Sequence, residues 1–205
     1  FVNPLQFGAN EDLGAYPRTL QEDQRKLTEA NCDLLFAPTE EEVYPTGRTN
    51  QTIVTVPGLS DNHCGASRPG HFAGVATVVA KLFGMVLPDI AVFGEKDFQQ
   101  LQVIRQMTSD LFLPVEVQGA AIARDDRGLA LSSRNGYLTE AEHEVAPTLN
   151  RALREAKAEI EGGRRDYAAM EEEAHQKLEA VGFKRDFFNI VRQSDLLAAE
   201  ENDTK

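Results

Sequence analysis

Short apolar runs bounded by turn residues alternate along this chain with longer stretches in which apolar positions recur every three or four residues. The residues from Arg18 to Ala30 are strong helix formers, with Leu20 and Leu27 seven apart on one face and Pro17 just ahead, where a first turn tolerates proline. This predicts a surface helix. Asp33-Leu34-Leu35-Phe36-Ala37, closed by Pro38, and the β-branched run Thr52-Ile53-Val54-Thr55-Val56, closed by Pro57-Gly58, predict strands. From Gly70 to Val86 the residues Phe72, Val75, Val79, Leu82, Phe83 and Val86 keep helical spacing, and Pro88 blocks continuation, so a buried amphipathic helix is predicted there. Ile90-Ala91-Val92-Phe93 is a fully apolar strand. A second helix from Asp97 to about Leu111 carries Phe98, Leu101, Ile104 and Met107, and Val115-Glu116-Val117 is another short strand.

Apolar strands alternating with amphipathic helices argue for βαβ units and a parallel sheet covered on both faces. The texture changes after about Ala120, where a Gly/Ser/Arg-rich loop leads to Thr139 and Glu142 at capping-box spacing and then to helical patterns around 148–161 and 166–180. Pro147 must kink or restart the first of these, Gly162-Gly163 and Gly182 stand at C-cap positions, and 187–191 predicts a strand. The expected fold is α/β, with a first domain over 1–120 and a small α+β domain over 121–205. Phe1-Val2 reads as the end of a strand begun upstream, and the chain stops in the polar stretch 200–205 soon after a strand. Both domains are therefore expected to be incomplete, as parts of a longer protein.

Composition narrows the class. The 205 residues, 41% hydrophobic and 26% charged, suit a globular protein with a real core. A net charge of −12, from 33 acidic against 21 basic residues, disfavours nucleic acid as partner but leaves room for a local basic pocket holding a small phosphate ligand. Cys32 and Cys64 make no disulfide framework, and no apolar run approaches the roughly 18 residues of a membrane span. A reducing cytoplasm is the expected compartment.

Four stretches carry candidate chemistry. Gly94-Glu95-Lys96-Asp97-Phe98-Gln99-Gln100 begins where an apolar strand ends, the place where open α/β sheets bind ligands. There Lys96 can neutralise phosphate, Asp97 can accept from ribose hydroxyls, and Gln100 faces the same side one turn later; the bland alternative is a solvated helix start. Leu129-Ala130-Leu131-Ser132-Ser133-Arg134-Asn135-Gly136 offers donors suited to a polyphosphate, or is a polar turn between domains. Gly65 to Val75, with Arg68 and His71, approaches a helix N-terminus that favours anions, although a lone His there also serves simply as a structural hydrogen-bonder. In Phe1-Val2-Asn3-Pro4-Leu5-Gln6-Phe7-Gly8, Gln6 can offer donor and acceptor to a small polar molecule or satisfy loop backbone. His63 beside Cys64 lacks the further ligands of a zinc site, His143 and His175 sit among acidic helical residues that suggest a solvated face, and no Gly-x-Ser-x-Gly elbow supports a serine triad.

Together, Phe-Val-Asn-Pro-Leu-Gln-Phe at 1–7, Tyr-Pro-Arg-Thr-Leu at 16–20, Gly-Ala-Ser-Arg-Pro-Gly-His-Phe at 65–72, Gly-Glu-Lys-Asp-Phe-Gln-Gln at 94–100 and Leu-Ser-Ser-Arg-Asn at 131–135 closely resemble the pantoate–β-alanine ligase family in order and spacing. The resemblance implies a Rossmann-like nucleotidyltransferase domain, a small C-terminal domain closing over ATP, and a homodimer. It implies ATP-dependent joining of pantoate to β-alanine, with Mg²⁺, through a pantoyl adenylate, in pantothenate and coenzyme A biosynthesis. Position by position, Gln6 and Gln100 match the pantoate-holding glutamines. Gly94, Glu95, Lys96 and Asp97, together with Ala123 and Leu131, Ser132, Ser133 and Arg134, match the ATP-binding segments. Lys96, Ser132, Ser133 and Arg134 match catalytic positions, Arg68 and His71 are assigned only near the site, and the metal ligands are left unassigned. The resemblance further places the family's His-x-Gly-His-like motif upstream of Phe1 and another apolar strand beyond Lys205, so the 205 residues alone are expected to be inactive. Two other readings share these features: a tRNA-charging or coenzyme-adenylylating enzyme of the same fold, which the acidic charge and the Gln6/Gln100 pair disfavour, and an ATP-binding or dimerising remnant without turnover.

Overall fold

The computed structural model describes residues 1–9 and 11–203. A 3-10 turn, Pro4–Gln6, opens it, capped by the Asn3 side chain. The surface helix α1 (Leu20–Glu29) follows and buries no residue, as its polar sequence predicts. Next come the short α2 (Glu40–Val43), held by a Thr39–Glu42 capping box, and α3 (Cys64–Ser67). The apolar stripe read after Gly70 becomes α4 (His71–Val86), which ends with Leu87 in the left-handed conformation just before Pro88. Strand β1 (Ile90–Gly94) leads through a 3-10 turn, Glu95–Asp97, into α5 (Phe98–Asp110) and then into β2 (Glu116–Ala120). Beyond it lie a 3-10 turn, Ser133–Tyr137, and the helices α6 (Glu140–Val145), α7 (Thr148–Glu161) and α8 (Tyr167–Glu179). Pro147 separates α6 from α7 rather than kinking one helix, and α6 opens on the predicted Thr139–Glu142 capping box.

β1 and β2 pair in parallel, Ile90 opposite Glu116 and Gly94 opposite Ala120, with α5 as the crossover. One core gathers Val43, Tyr44 and Val56 with Phe72, Val75, Val79 and Phe83 of α4 and Val103, Ile104 and Met107 of α5. Leu101, Ile104 and Met107 are almost wholly buried, each stabilising the fold by on the order of 1.5–3 kcal/mol. A second, smaller core joins Ala152 of α7, Ala174 and Leu178 of α8, and Phe188.

Several expectations need correcting. Among the described residues, 33–37 and 52–56 form no regular element and lie in no ladder. Strand assignment needs a neighbouring backbone, and here the Val54 N–H donates instead to Thr77 Oγ1 of α4 at 2.9 Å, while Leu34 stays 81% exposed. Among the described residues Phe1 and Val2 lie in no ladder, and Asn3 caps the turn that follows them. The 187–191 segment is reduced to a single antiparallel bridge, Val191 with Ala198, because the Ile190 N–H is taken by Glu171 Oε1 at 2.5 Å. The sheet is not covered on both faces either: Ala91 and Phe93 pack inward, but Ile90 and Val92 remain 51% and 63% exposed. His175 is no solvated-face residue. It is buried, its ring against Phe188, because the helical period sets it beside Ala174 and Leu178. Among the described residues no helix is long and apolar enough to cross a membrane.

Candidate functional site

A cavity of about 470 Å³ opens at the carboxyl end of β1. The turn after β1 supplies Lys96 and Asp97, and the first turn of α5 supplies Gln99 and Gln100. Across from them stand Gln6 and Phe7 at the end of the first 3-10 turn, Arg68 and His71 before and at the start of α4, and Arg134. The Lys96 ammonium lies 3.3 Å from Asp97 Oδ1 and its side chain is 39% exposed, so it is aimed at solvent-filled space rather than consumed by a buried pair. Residues read as four separate stretches are thus brought to one wall-to-wall site of a size suited to small ligands.

The placement of Gln6 has a definite cause. Asn3 is buried, its Oδ1 accepting from Tyr44 Oη at 2.5 Å and from the Leu5 N–H at 3.3 Å. Its amide nitrogen must therefore donate, and it does so to Gly74 O at 3.0 Å and to Gln6 Oε1 at 3.2 Å. With Oε1 engaged, the Gln6 amide nitrogen is the end left for a ligand. Burial pushes the Tyr44 hydroxyl up to about 12, which keeps it protonated as the donor in this chain. Asn3 and Tyr44 were missed by sequence reasoning. The Asn-Pro pair announces a turn, but nothing in sequence shows that Tyr44, 41 residues on, will meet it.

Two acidic neighbours hold the arginines. Glu11 forks onto Arg68, and the Arg68 hydrogen bond holds the Glu11 carboxyl below its usual range. Asp12 grips Arg134 through two bonds of 2.8 and 2.9 Å, while Tyr16 and Phe7 stack near the guanidinium. His71 Nδ1 lies 2.8 Å from Gln6 O and must donate to it, so Nε2, 3.2 Å from Arg68 Nη1, accepts. The ring is a neutral structural link. Burial, with Arg68 beside it, pulls the His71 pKa below its ordinary 6.5. Because the unfolded chain then binds the proton more readily, this contribution to stability is complete above about pH 6.5 and is lost as pH falls through the lowered value. Denaturant melts between pH 7.5 and 5 should show the protein losing more stability than its His71→Gln variant; equal losses would remove His71 from this role. The Glu11–Arg68 pair fails only lower, as pH drops below the carboxyl's ordinary 4.5.

Other predicted positions lie off the cavity wall. Gly94 and Glu95 sit at its edge in sequence but do not line it, and neither do Ala123, Leu131, Ser132 or Ser133. Ala123 O accepts from the Leu131 N–H at 2.9 Å, Ser132 Oγ caps Arg134 N, and Ser133 Oγ donates to Tyr16 Oη, 3.0 Å away. The 123–134 loop therefore reaches the cavity through Arg134 alone. Burial pushes the Cys64 thiol up, and among the described residues no group of three or more His, Cys, Asp or Glu is placed to hold a metal.

Comparison with known proteins places these features. The family profile described as Pantoate-beta-alanine ligase matches residues 1–205. Pantothenate synthetase of Marinobacter nauticus is 59% identical over 203 residues, covering 99% of this chain and 72% of the relative, and that of Pseudomonas fluorescens is 57% identical over the same shares. Among solved structures, pantothenate synthetase of Thermus thermophilus superposes with a TM-score of 0.91 at 48% identity, over 98% of this chain and 72% of that one. The Francisella tularensis pantoate-beta-alanine ligase, solved with a β,γ-ATP compound and β-alanine, gives 0.76 at 36% identity over 89% and 66%.

Proposed function

Since the chain belongs to the pantoate–β-alanine ligase family, we propose that its cavity performs that reaction in two steps, both at the carboxyl end of β1. The protein is an ATP-dependent ligase that condenses pantoate with β-alanine in pantothenate biosynthesis. In the first step a pantoate carboxylate oxygen attacks the α-phosphorus of ATP, the bond to the β-phosphate breaks, and pyrophosphate leaves. In the second the β-alanine amine attacks the activated carbonyl of the pantoyl adenylate and AMP departs. The observation that carries the assignment is the pair of amides, Gln6 and Gln100, lining the same cavity as the Lys96 ammonium. The amides suit the hydroxyls and carboxylate of pantoate, and the cation suits phosphate.

Within that reading, Lys96 compensates charge on the phosphates, and Gly94 to Asp97 carry the nucleotide at the mouth of the α5 turn. Ala123 and Leu131 to Ser133 contact ATP once the loop swings in behind Arg134, whose tether to Asp12 the triphosphate displaces. Mg²⁺, which the family resemblance implies, would lessen the charge on the leaving pyrophosphate. The two separate cores support a division near Ala120 into a nucleotide domain and a small closing domain. The homodimer that the family resemblance implies belongs to this reading, and the free thiols Cys32 and Cys64 suit the cytoplasm.

The test is exchange of labelled pyrophosphate into ATP by the full-length protein. Exchange should require pantoate and proceed without β-alanine, because adenylate formation comes first. Gln100→Ala should raise the pantoate requirement about 10-fold, the consequence of roughly 1–3 kcal/mol for an unpaired group in a closed site, with ATP dependence little changed. Exchange that strictly needs β-alanine would exclude a free adenylate.

A further inference from the structure

His63 stands on the cavity wall at φ +50° and ψ −119°, a positive-φ conformation outside the left-handed helical region that costs a non-glycine residue on the order of 1 kcal/mol or more. Its ring meets a segment more than 120 residues away. Nε2 lies 2.8 Å from Leu196 O and so donates to it, while Nδ1, 2.9 Å away, accepts from Asn189 Nδ2. The Phe187 ring lies 5.7 Å from the imidazole, centre to centre. Phe187, Asn189, Val191 and Leu196 form one wall of the cavity, and the adjoining Phe188 is rooted in the second core.

The loop that carries His63 is itself bolted to α5. Gln99 donates to Leu59 O at 2.8 Å and Asn62 O at 2.7 Å, and its Oε1 accepts from the Cys64 N–H at 3.1 Å. One residue further, Gln100 faces the cavity; one turn on, Gln102 donates to Gln193 O at 2.9 Å. Gln99 thus fixes the residues on either side of His63 to the start of α5, and the His63 ring ties that loop to the wall adjoining the second core.

We propose that His63 is a positioning residue, a clasp that holds the 187–196 wall shut over the reacting groups and keeps water from the acyl adenylate. The proposal rests on the adenylate mechanism given above. In the coupled reaction the β-alanine nitrogen attacks the pantoyl carbonyl and the carbonyl–oxygen bond to AMP breaks, one AMP per pantothenate. With the clasp open, a water oxygen attacks the same carbonyl, the same bond breaks, pantoate and AMP are released, and the water proton passes to solvent. ATP is then consumed without product.

The experiment, on the full-length protein, measures AMP and pantothenate together under saturating pantoate, ATP and β-alanine. His63→Ala is expected to raise the AMP-to-pantothenate ratio about two-fold or more, and Asn189→Ala, which leaves the ring in place, to raise it in the same direction. His63→Gln, which retains a donor and an acceptor on one side chain, should restore much of the coupling. A merely structural role lowers both products in step, so a wild-type ratio in His63→Ala and Asn189→Ala overturns the clasp; should His63→Ala fail to fold, the ratio in Asn189→Ala decides alone. Wild-type enzyme that forms no pantoate-dependent AMP would instead overturn the adenylate reading, and the clasp with it.

Discussion

Lys96→Ala in the full-length protein should slow adenylate formation about 10²-fold or more while leaving the melting transition nearly unmoved. The magnitude is that of deleting one preorganised donor aimed at developing charge. The ammonium sits in the turn between β1 and α5, half open to the cavity, and its only described side-chain partner is the neighbouring Asp97 at 3.3 Å. Nothing in either core leans on it, and an exposed pair of this kind adds little to folding. Its effect must then fall on the ligand. Pantoate carboxylate and ATP are both anions, and bringing them together at the α-phosphorus requires a cation already in place. Single-turnover quench-flow with ATP and pantoate, without β-alanine, isolates the step. Near wild-type adenylation in the variant would return Lys96 to the role of a solvated helix-start residue.

What the sequence revealed and what it hid divide along a physical line. Helical periodicity is a local property, so α4, α5, α7 and α8 were legible within a residue or two, as were the Thr139–Glu142 cap and the parallel β1–α5–β2 unit. Strands are not local. The apolar runs at 33–37 and 52–56 have strand composition, but a ladder exists only where another backbone comes alongside, and the Val54 amide finds a threonine hydroxyl instead. The same distinction governs the site. Lys96 and Gln100 are carried on one turn and announce themselves by spacing, whereas Asn3, Tyr44 and the His63–Asn189 contact are made across separations of 41 to 126 residues. Glu11 and Asp12 passed unnoticed because acidic loop residues are ordinary; only the fold shows that they occupy the two arginines an anionic ligand would want.

Gly74→Ala sets two physical rules against each other, and the structure says which wins. Gly74 lies inside α4, where alanine is normally preferred over glycine by about 1 kcal/mol, so propensity alone forecasts a more stable protein. But a Cβ at this position would fall 2.4 Å from Leu5 O, 2.5 Å from Leu5 C and 2.7 Å from Gln6 N, all backbone atoms of the turn that α4 packs against. Backbone cannot swing aside as a flexible side chain does. Either the Pro4–Gln6 turn lifts off the helix or α4 shifts, and both stretch the bond from Asn3 to Gly74 O that orients the Gln6 amide. Overpacking of this kind costs about 1–3 kcal/mol or more, enough to reverse the sign of the propensity gain. Displacing Gln6 and the carbonyl that anchors His71 should in addition weaken pantoate binding by about 10-fold or more, by the loss of a paired, half-buried amide. Thermal melts and pantoate titrations of Gly74→Ala check both halves; a variant with a raised melting temperature and unchanged pantoate affinity would show that the turn is not held against α4 as closely as these distances require.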